Sequence, residues 1–284
     1  MTLRRFGRLA ACCLSVALGS VWYVRYCPAM AWNGWELTTL AEGVDRVSGL
    51  ALAGDGSLYV TQEYQAPDGM VLRLSADHVR SVVLSGLDKP DGIFFDDGDL
   101  YVSQEGGIYP VRKVSPSGDQ QSIAVEAANL EQIWLVRDSD DLLLYGIEDR
   151  PLGNIVRYDF ASGKSEVLAR DIVEGEGVSV CPDGAIYYAE KGAGEINRLT
   201  ADGGKELLAG GLNKPGFVSC EAEGVWVSED ANLGAKVYYI HRNPPYLKEL
   251  VASHLRSAQY IVRSSPTSVL LAEQDRGRVL MLSR

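Results

Sequence analysis

Three carboxylates, Asp91, Glu131 and Glu176, occupy corresponding places in successive copies of a repeated segment. Acids brought together at one opening repel one another. The conflict is relieved by a divalent cation, by raised pKa values, or by distance and water. Oxygen donors without clustered His or Cys favour Ca2+, Mg2+ or Mn2+ over a closed zinc site. Such a cation would be held by Asp91, Glu176 and Glu131. It would polarise the carbonyl of a lactone or ester while Asp91 takes a proton from attacking water and Glu131 tunes the pair by like charge. The plainer alternative is a solvated acidic rim that binds nothing specific.

Other chemistry is thin. His78, His241 and His254 are scattered; His254 is expected near the face that carries Asp91, as a proton carrier or as a plain loop residue. Neither a Gly-x-Ser-x-Gly elbow, nor a phosphate-cradling loop, nor a Cys-x-x-Cys pair occurs. A second acidic set, Glu63, Glu105, Glu148, Glu190, Glu229 and Glu273, recurs in every copy at the end of a strand pattern. Recurrence in all copies points to architecture, with these side chains accepting hydrogen bonds from a neighbouring unit's backbone.

The elements that must position these acids are written in the repeat, whose fixed period decides the fold assignment. The clearest copy runs over residues 89–105: an apolar strand, an Asp-Gly turn, then a strand ending in polar residues. Residues 49–63 and 177–190 repeat it, and weaker copies lie over 133–148, 216–230 and 260–273. Aligned on the residue expected to open each innermost strand at the channel mouth, the copies give Ser48, Asp91, Glu131, Glu176, Pro215 and Ala258, at intervals of 43, 40, 45, 39 and 43. Third and fourth strand patterns fill each interval, as in 70–74 and 81–84. Four strands in about 42 residues is the measure of a propeller blade.

The sixth copy stops after its third strand, and residues 36–40, which resemble the fourth strands elsewhere, supply the missing one. The expectation is an all-β, six-bladed propeller over residues 32–284, closed by that N-terminal strand, with no internal linker. Pro244 and Pro245 mark a loop inside the fifth blade. Cys181 and Cys220 hold equivalent places in adjacent units, which allows either a disulfide between neighbours or two half-buried thiols.

The repeat resembles the six-bladed propellers of the senescence-marker/gluconolactonase family, strictosidine-synthase-like proteins and NHL-repeat proteins. The resemblance covers residues 36–284. The segment Pro90-Asp91-Gly92 followed by residues 97–102 is similar to the gluconolactonase segment that bears its acid/base and metal-binding aspartate. Glu174-Gly175-Glu176-Gly177 is similar to that family's metal-binding Glu-Gly segment. The resemblance implies Asp91 as metal ligand and general base and Glu176 as metal ligand. The family's asparagine ligand would fall one blade before the aspartate, where this chain has Ser48.

The chain of 284 residues carries 27 Lys+Arg against 38 Asp+Glu, a net charge of −11. With no basic block, nucleic acid is excluded as a natural partner. Arg4, Arg5 and Arg8 precede an uncharged run over 9–24, and Ala29-Met30-Ala31 offers a small-x-small cleavage pattern. Residues 1–31 are therefore expected to be a signal peptide or a membrane anchor acting through 9–24, with a periplasmic or secreted body. The functional expectation is an exported metal-dependent hydrolase of lactones or related esters. The alternative is a noncatalytic propeller binding a partner protein or small ligand at the membrane or in the periplasm, and a third is a lyase-like activity with one carboxylate as acid/base.

Overall fold

The computed structural model describes residues 27–77, 79–106, 110–138 and 141–284. Residues 1–26 of the expected signal or anchor segment, 1–31, and His78 lie outside the described residues.

The turns that start the strands are chemically legible. At Asp55-Gly56 the glycine takes φ +81°, and the Asp55 carboxylate accepts the backbone N–H of Ser57 at 2.9 Å. Asp183-Gly184 repeats the device, with φ +82° and Ala185 N–H donating to Asp183 at 3.2 Å. Each fold-back is thus held by an Asx hydrogen bond and a residue without a Cβ penalty.

The strands so connected form six antiparallel sheets set around an axis, the expected six blades. The innermost strands are Val47–Leu52, Pro90–Asp96, Leu130–Asp138, Gly175–Val180, Pro215–Cys220 and Ala258–Ser265. Successive innermost strands contact one another, and apolar residues between blades form the core, as with Leu50, Val60, Phe217, Tyr260 and Leu270. Ring closure is as expected. Glu36–Glu42 pairs with Arg278–Ser283, with Glu36 opposite Ser283, so the two ends of the propeller share the sixth blade. The chain before it belongs to the fold as well: Cys27 is buried, and Met30–Ala31 adds a fifth strand to blade 5 beside Lys248–Leu255. Pro244 and Pro245 fall between the third and fourth strands of blade 5. No helix among the described residues is long and apolar enough to cross a membrane.

One irregularity recurs in every blade. Between Val47 and Leu50 the register to the second strand slips by one residue, and the same slip occurs between Pro90 and Ile93, Leu130 and Ile133, Gly175 and Val178, Pro215 and Val218, and Ala258 and Ile261. A bulge re-aims the side chains it carries. The register also corrects the repeat alignment. Pro215 faces Glu229 and Ala258 faces Glu273 as Pro90 faces Gln104, so the counterparts of Asp91 in blades 5 and 6 are Gly216 and Gln259, not Pro215 and Ala258.

The second residue of each bulge decides whether the axis is open. It is glycine in blades 1, 2 and 4, where the neighbouring blade approaches closely: a Cβ on Gly49 would lie 2.1 Å from the carbonyl oxygen of Asp91, and one on Gly92 2.5 Å from that of Glu131. In blades 3, 5 and 6 it is Gln132, Phe217 and Tyr260, all buried. The Gln132 amide donates to Val218 O at 3.0 Å and accepts the N–H groups of Val178 and Val218. The Tyr260 hydroxyl reaches Ile93 O at 3.1 Å and Ile133 O at 3.5 Å, and its ring packs on Phe217 at 5.0 Å. These three side chains plug the axis, and two of them, Gln132 and Tyr260, supply partners to backbone groups on the free inner edges of the strands.

Candidate functional site

Above the plug, the first bulge residues form a ring: Ser48, Asp91, Glu131, Glu176, Gly216 and Gln259. The three predicted acids are buried on this ring, with Asp91 1%, Glu131 6% and Glu176 2% exposed. A second ring comes from the residues just past the second strands. Glu63, Glu105, Asp149, Lys191, Asp230 and Gln274 each donate a backbone N–H to the carbonyl of a residue ahead of the innermost strand of the same blade, respectively Arg46, Lys89, Asn129, Glu174, Lys214 and Ser257. All six of those acceptor residues have left-handed φ, between 47° and 56°. The local backbone is therefore the same in every blade, and the side chains alone differ.

The recurrent acidic set is split by this register. Glu148, Glu190, Glu229 and Glu273 accept the backbone N–H groups of Ala128, Val173, Asn213 and Arg256, and Gln104 accepts that of Asp88. The architectural role is real, but the donors lie in the loop leading into the same blade, not in a neighbouring blade. Glu63 and Glu105 sit one residue further along and belong to the channel ring. His254 lies in the fourth strand of blade 5, Lys248–Leu255, its ring nitrogen sharing a 2.8 Å hydrogen bond with Ser253.

Two lysines that composition did not single out hold this mouth together. Lys191 Nζ lies 2.5 Å from Glu176 and 2.8 Å from Asp230, joining blades 4 and 5. Lys89 pairs with Glu105 and lies 3.6 Å from Glu63. Asp230 also accepts from Ser257 and from the Gln259 amide at 2.9 Å, and Gln274 donates to Glu63 at 2.5 Å. Ser48 donates to Asp91 Oδ1. The other Asp91 oxygen, Oδ2, and Glu131 Oε2 are buried without a hydrogen-bond partner.

Electrostatics follow from that arrangement. Burial pushes the Asp91 carboxyl well above the usual range, and the charges of Glu63, Glu105 and Glu176 add to it while the Ser48 bond opposes it. Burial does the same to Glu131, reinforced by Asp91 and Glu176. Burial raises Glu176 to about 8 even though Lys191 pulls it down. Asp230 shows the opposite outcome: burial raises it, but Lys191, Ser257 and Lys214 outweigh that and hold it below the ordinary value. Among the described residues, the acids that bring one oxygen each within 4.8 Å of one another are Glu63, Asp91 and Glu105. The structure thus joins Asp91 to two acids expected to be architectural, whereas Glu176 is drawn toward Lys191 and Asp230.

No known family's model matches the sequence, and no curated protein matches it. Solved structures do. A gluconolactonase from Xanthomonas campestris aligns with a TM-score of 0.71 at 13% identity, over 89% of this chain and 90% of that one. The virginiamycin B lyase of Staphylococcus aureus aligns with a TM-score of 0.62 at 14% identity, over 90% of this chain and 100% of that one. A chain of a nidogen/laminin complex aligns with a TM-score of 0.60 at 16% identity, over 70% and 76%. What they share is the six-bladed propeller. At such identities the likeness is one of fold, and propellers of this kind serve both catalysis and binding.

Proposed function

We propose that the protein is an exported, divalent-cation-dependent hydrolase of lactones or related esters, acting at the acidic mouth. The observation that carries this reading is the pair of buried carboxylate oxygens, Asp91 Oδ2 and Glu131 Oε2, left without partners. Leaving such oxygens unpaired is costly unless a proton or a cation compensates them. Seven acids crowd the two rings, and Lys89 and Lys191 are already spent on Glu105, Glu176 and Asp230. The donor set is all oxygen and suits Ca2+, Mg2+ or Mn2+.

Asp91, with Glu63 and Glu105, would hold the cation; Glu131 and Glu176 complete the acidic wall. When bound, the cation supplies Lewis-acid polarisation of the substrate carbonyl and restores the ionised form of the acids around it. The chain's own contribution is positioning and proton transfer. Ser48 donates to Asp91 Oδ1 and so orients the carboxylate, leaving Oδ2 to accept a proton from water. Lys191 holds Glu176 and Asp230 apart from that exchange. The Gln132, Phe217 and Tyr260 plug closes the channel beneath the site, so substrate and water enter from the acidic face.

A panel of lactones and aryl esters assayed with Ca2+, Mg2+ or Mn2+ and with chelator tests the reading. Turnover abolished by chelator and lowered at least about 100-fold by Asp91→Asn is expected. Absence of turnover with every metal would move the weight to a binding role, and turnover indifferent to Asp91→Asn would remove Asp91 as base.

A further inference from the structure

The opposite mouth has a different chemistry. Below the plug the innermost strands of blades 1, 2 and 6 present Leu52, Phe94 and Val262 to a cavity of about 440 Å³, walled further by Trp134 of blade 3 and by Cys220 and Glu221 of blade 5. Tyr260, part of the plug, also lines it, and none of the acidic-ring side chains does. Aromatic faces shape its wall. Phe94 and Trp134 meet edge to face at 5.4 Å, and Phe95 stacks on Tyr59 at 5.7 Å. The Cys181–Cys220 disulfide ties blade 4 to blade 5 at the rim and fixes that side of the opening.

Among the described residues, the two charged side chains that line the cavity, Arg263 and Glu221, pair with each other. Arg263 forms a two-toothed pair with Glu221, with Nε at 2.7 Å and Nη2 at 2.6 Å from its oxygens. The same carboxylate takes the Trp226 indole N–H at 2.9 Å, and the remaining Arg263 amino group donates to the Ser265 and Pro266 carbonyls. Arg137 pairs with Asp96, and Arg242 with Asp183. A charged guest would have to compete with the Arg263–Glu221 pair for one of its partners. A neutral molecule loses nothing by comparison. The volume falls in the range of small-molecule sites, and a concave, aromatic-walled cavity excludes water from an apolar guest more fully than a flat surface does.

We infer that this second mouth is a binding site for a neutral, largely apolar small molecule carrying one or two aromatic rings, separate from the acidic site and independent of the hydrolase reading. Rings would lie against Phe94 and Trp134, and the guest would end on Tyr260.

Titration of the full-length protein with N-phenyl-1-naphthylamine, an uncharged aromatic fluorophore, tests this. Saturable binding of one molecule per chain, with an enhanced and blue-shifted emission, is expected. Leu52→Glu, which puts a charge on the apolar wall, should weaken binding at least about tenfold, as should Phe94→Ala, whereas Asp91→Asn at the other mouth should leave it unchanged. Hydrogen exchange with and without the fluorophore reads the location without depending on variants: protection is expected in 50–52, 93–95 and 260–263. Non-saturable binding to the wild type, equal binding by Leu52→Glu and wild type, or protection confined to the acidic mouth would each overturn the inference.

Discussion

Lys191 is the residue whose removal tests the electrostatic account most directly. Its side chain is 21% exposed and its ammonium contacts the carboxylates of Glu176 and Asp230, whose side chains are 3% and 20% exposed. Replacing it by methionine keeps the stem and deletes the charge, leaving two acids of neighbouring blades unpaired. Removing one partner of a buried ion pair costs about 3–5 kcal/mol. Because Lys191 and Asp230 keep some solvent contact, the lower end applies, about 3 kcal/mol at pH 8. For a domain of this size that corresponds to a fall in Tm of roughly 6–12 °C. The cost must shrink at pH 5, where Glu176, raised to about 8 by burial, is already protonated and no longer needs the ammonium. Lys191→Met with Glu176→Gln should recover more than half of the single-variant loss, a coupling of about 1.5 kcal/mol or more. Urea or thermal denaturation of the four proteins at pH 5 and pH 8, in chelator, measures this. Equal losses at both pH values, or a coupling below about 0.5 kcal/mol, would refute the reasoning.

Three other outcomes are expected. The chelated wild-type protein should lose stability as pH rises toward and through about 8, because burial gives Glu176, Asp91 and Glu131 folded-state pKa values above their unfolded ones, so the folded state holds protons the unfolded state has released. Thermal melts from pH 5 to 9 check the sign, and a divalent cation should flatten the slope at the alkaline end. Reduction of Cys181–Cys220, or Cys220→Ser, should cost about 4 kcal/mol by loop entropy for a separation of 39 residues, read from denaturation with and without reductant. Gly49→Ala should cost at least about 3 kcal/mol or prevent folding, since its Cβ would meet the Asp91 carbonyl oxygen at 2.1 Å, and a melt within 2–4 °C of wild type would remove the close-approach argument.

The sequence by itself determined the repeat, the blade count and the ring closure, because these rest on period-two apolar alternation and on Asp-Gly turns, which are local. It also placed Asp91, Glu131 and Glu176 on one ring, since equivalent places in a rotational repeat must converge on the axis. Tertiary structure decided what local pattern does not carry. The bulge register moved the blade 5 and 6 counterparts to Gly216 and Gln259, because a one-residue slip is invisible in an alternation read strand by strand. Cys181 and Cys220 were legible as equivalent places, and only the spacing of blades 4 and 5, with Cα atoms 5.0 Å apart, joined them. Lys191 directly follows the recurrent polar end of a second strand and Lys89 directly precedes an innermost strand, but their partners belong to other strands and, for Glu63 and Asp230, to other blades. Which acid is neutralised by an internal lysine, and which is left bare, is a matter of distances across the axis, and those exist only once six blades have closed.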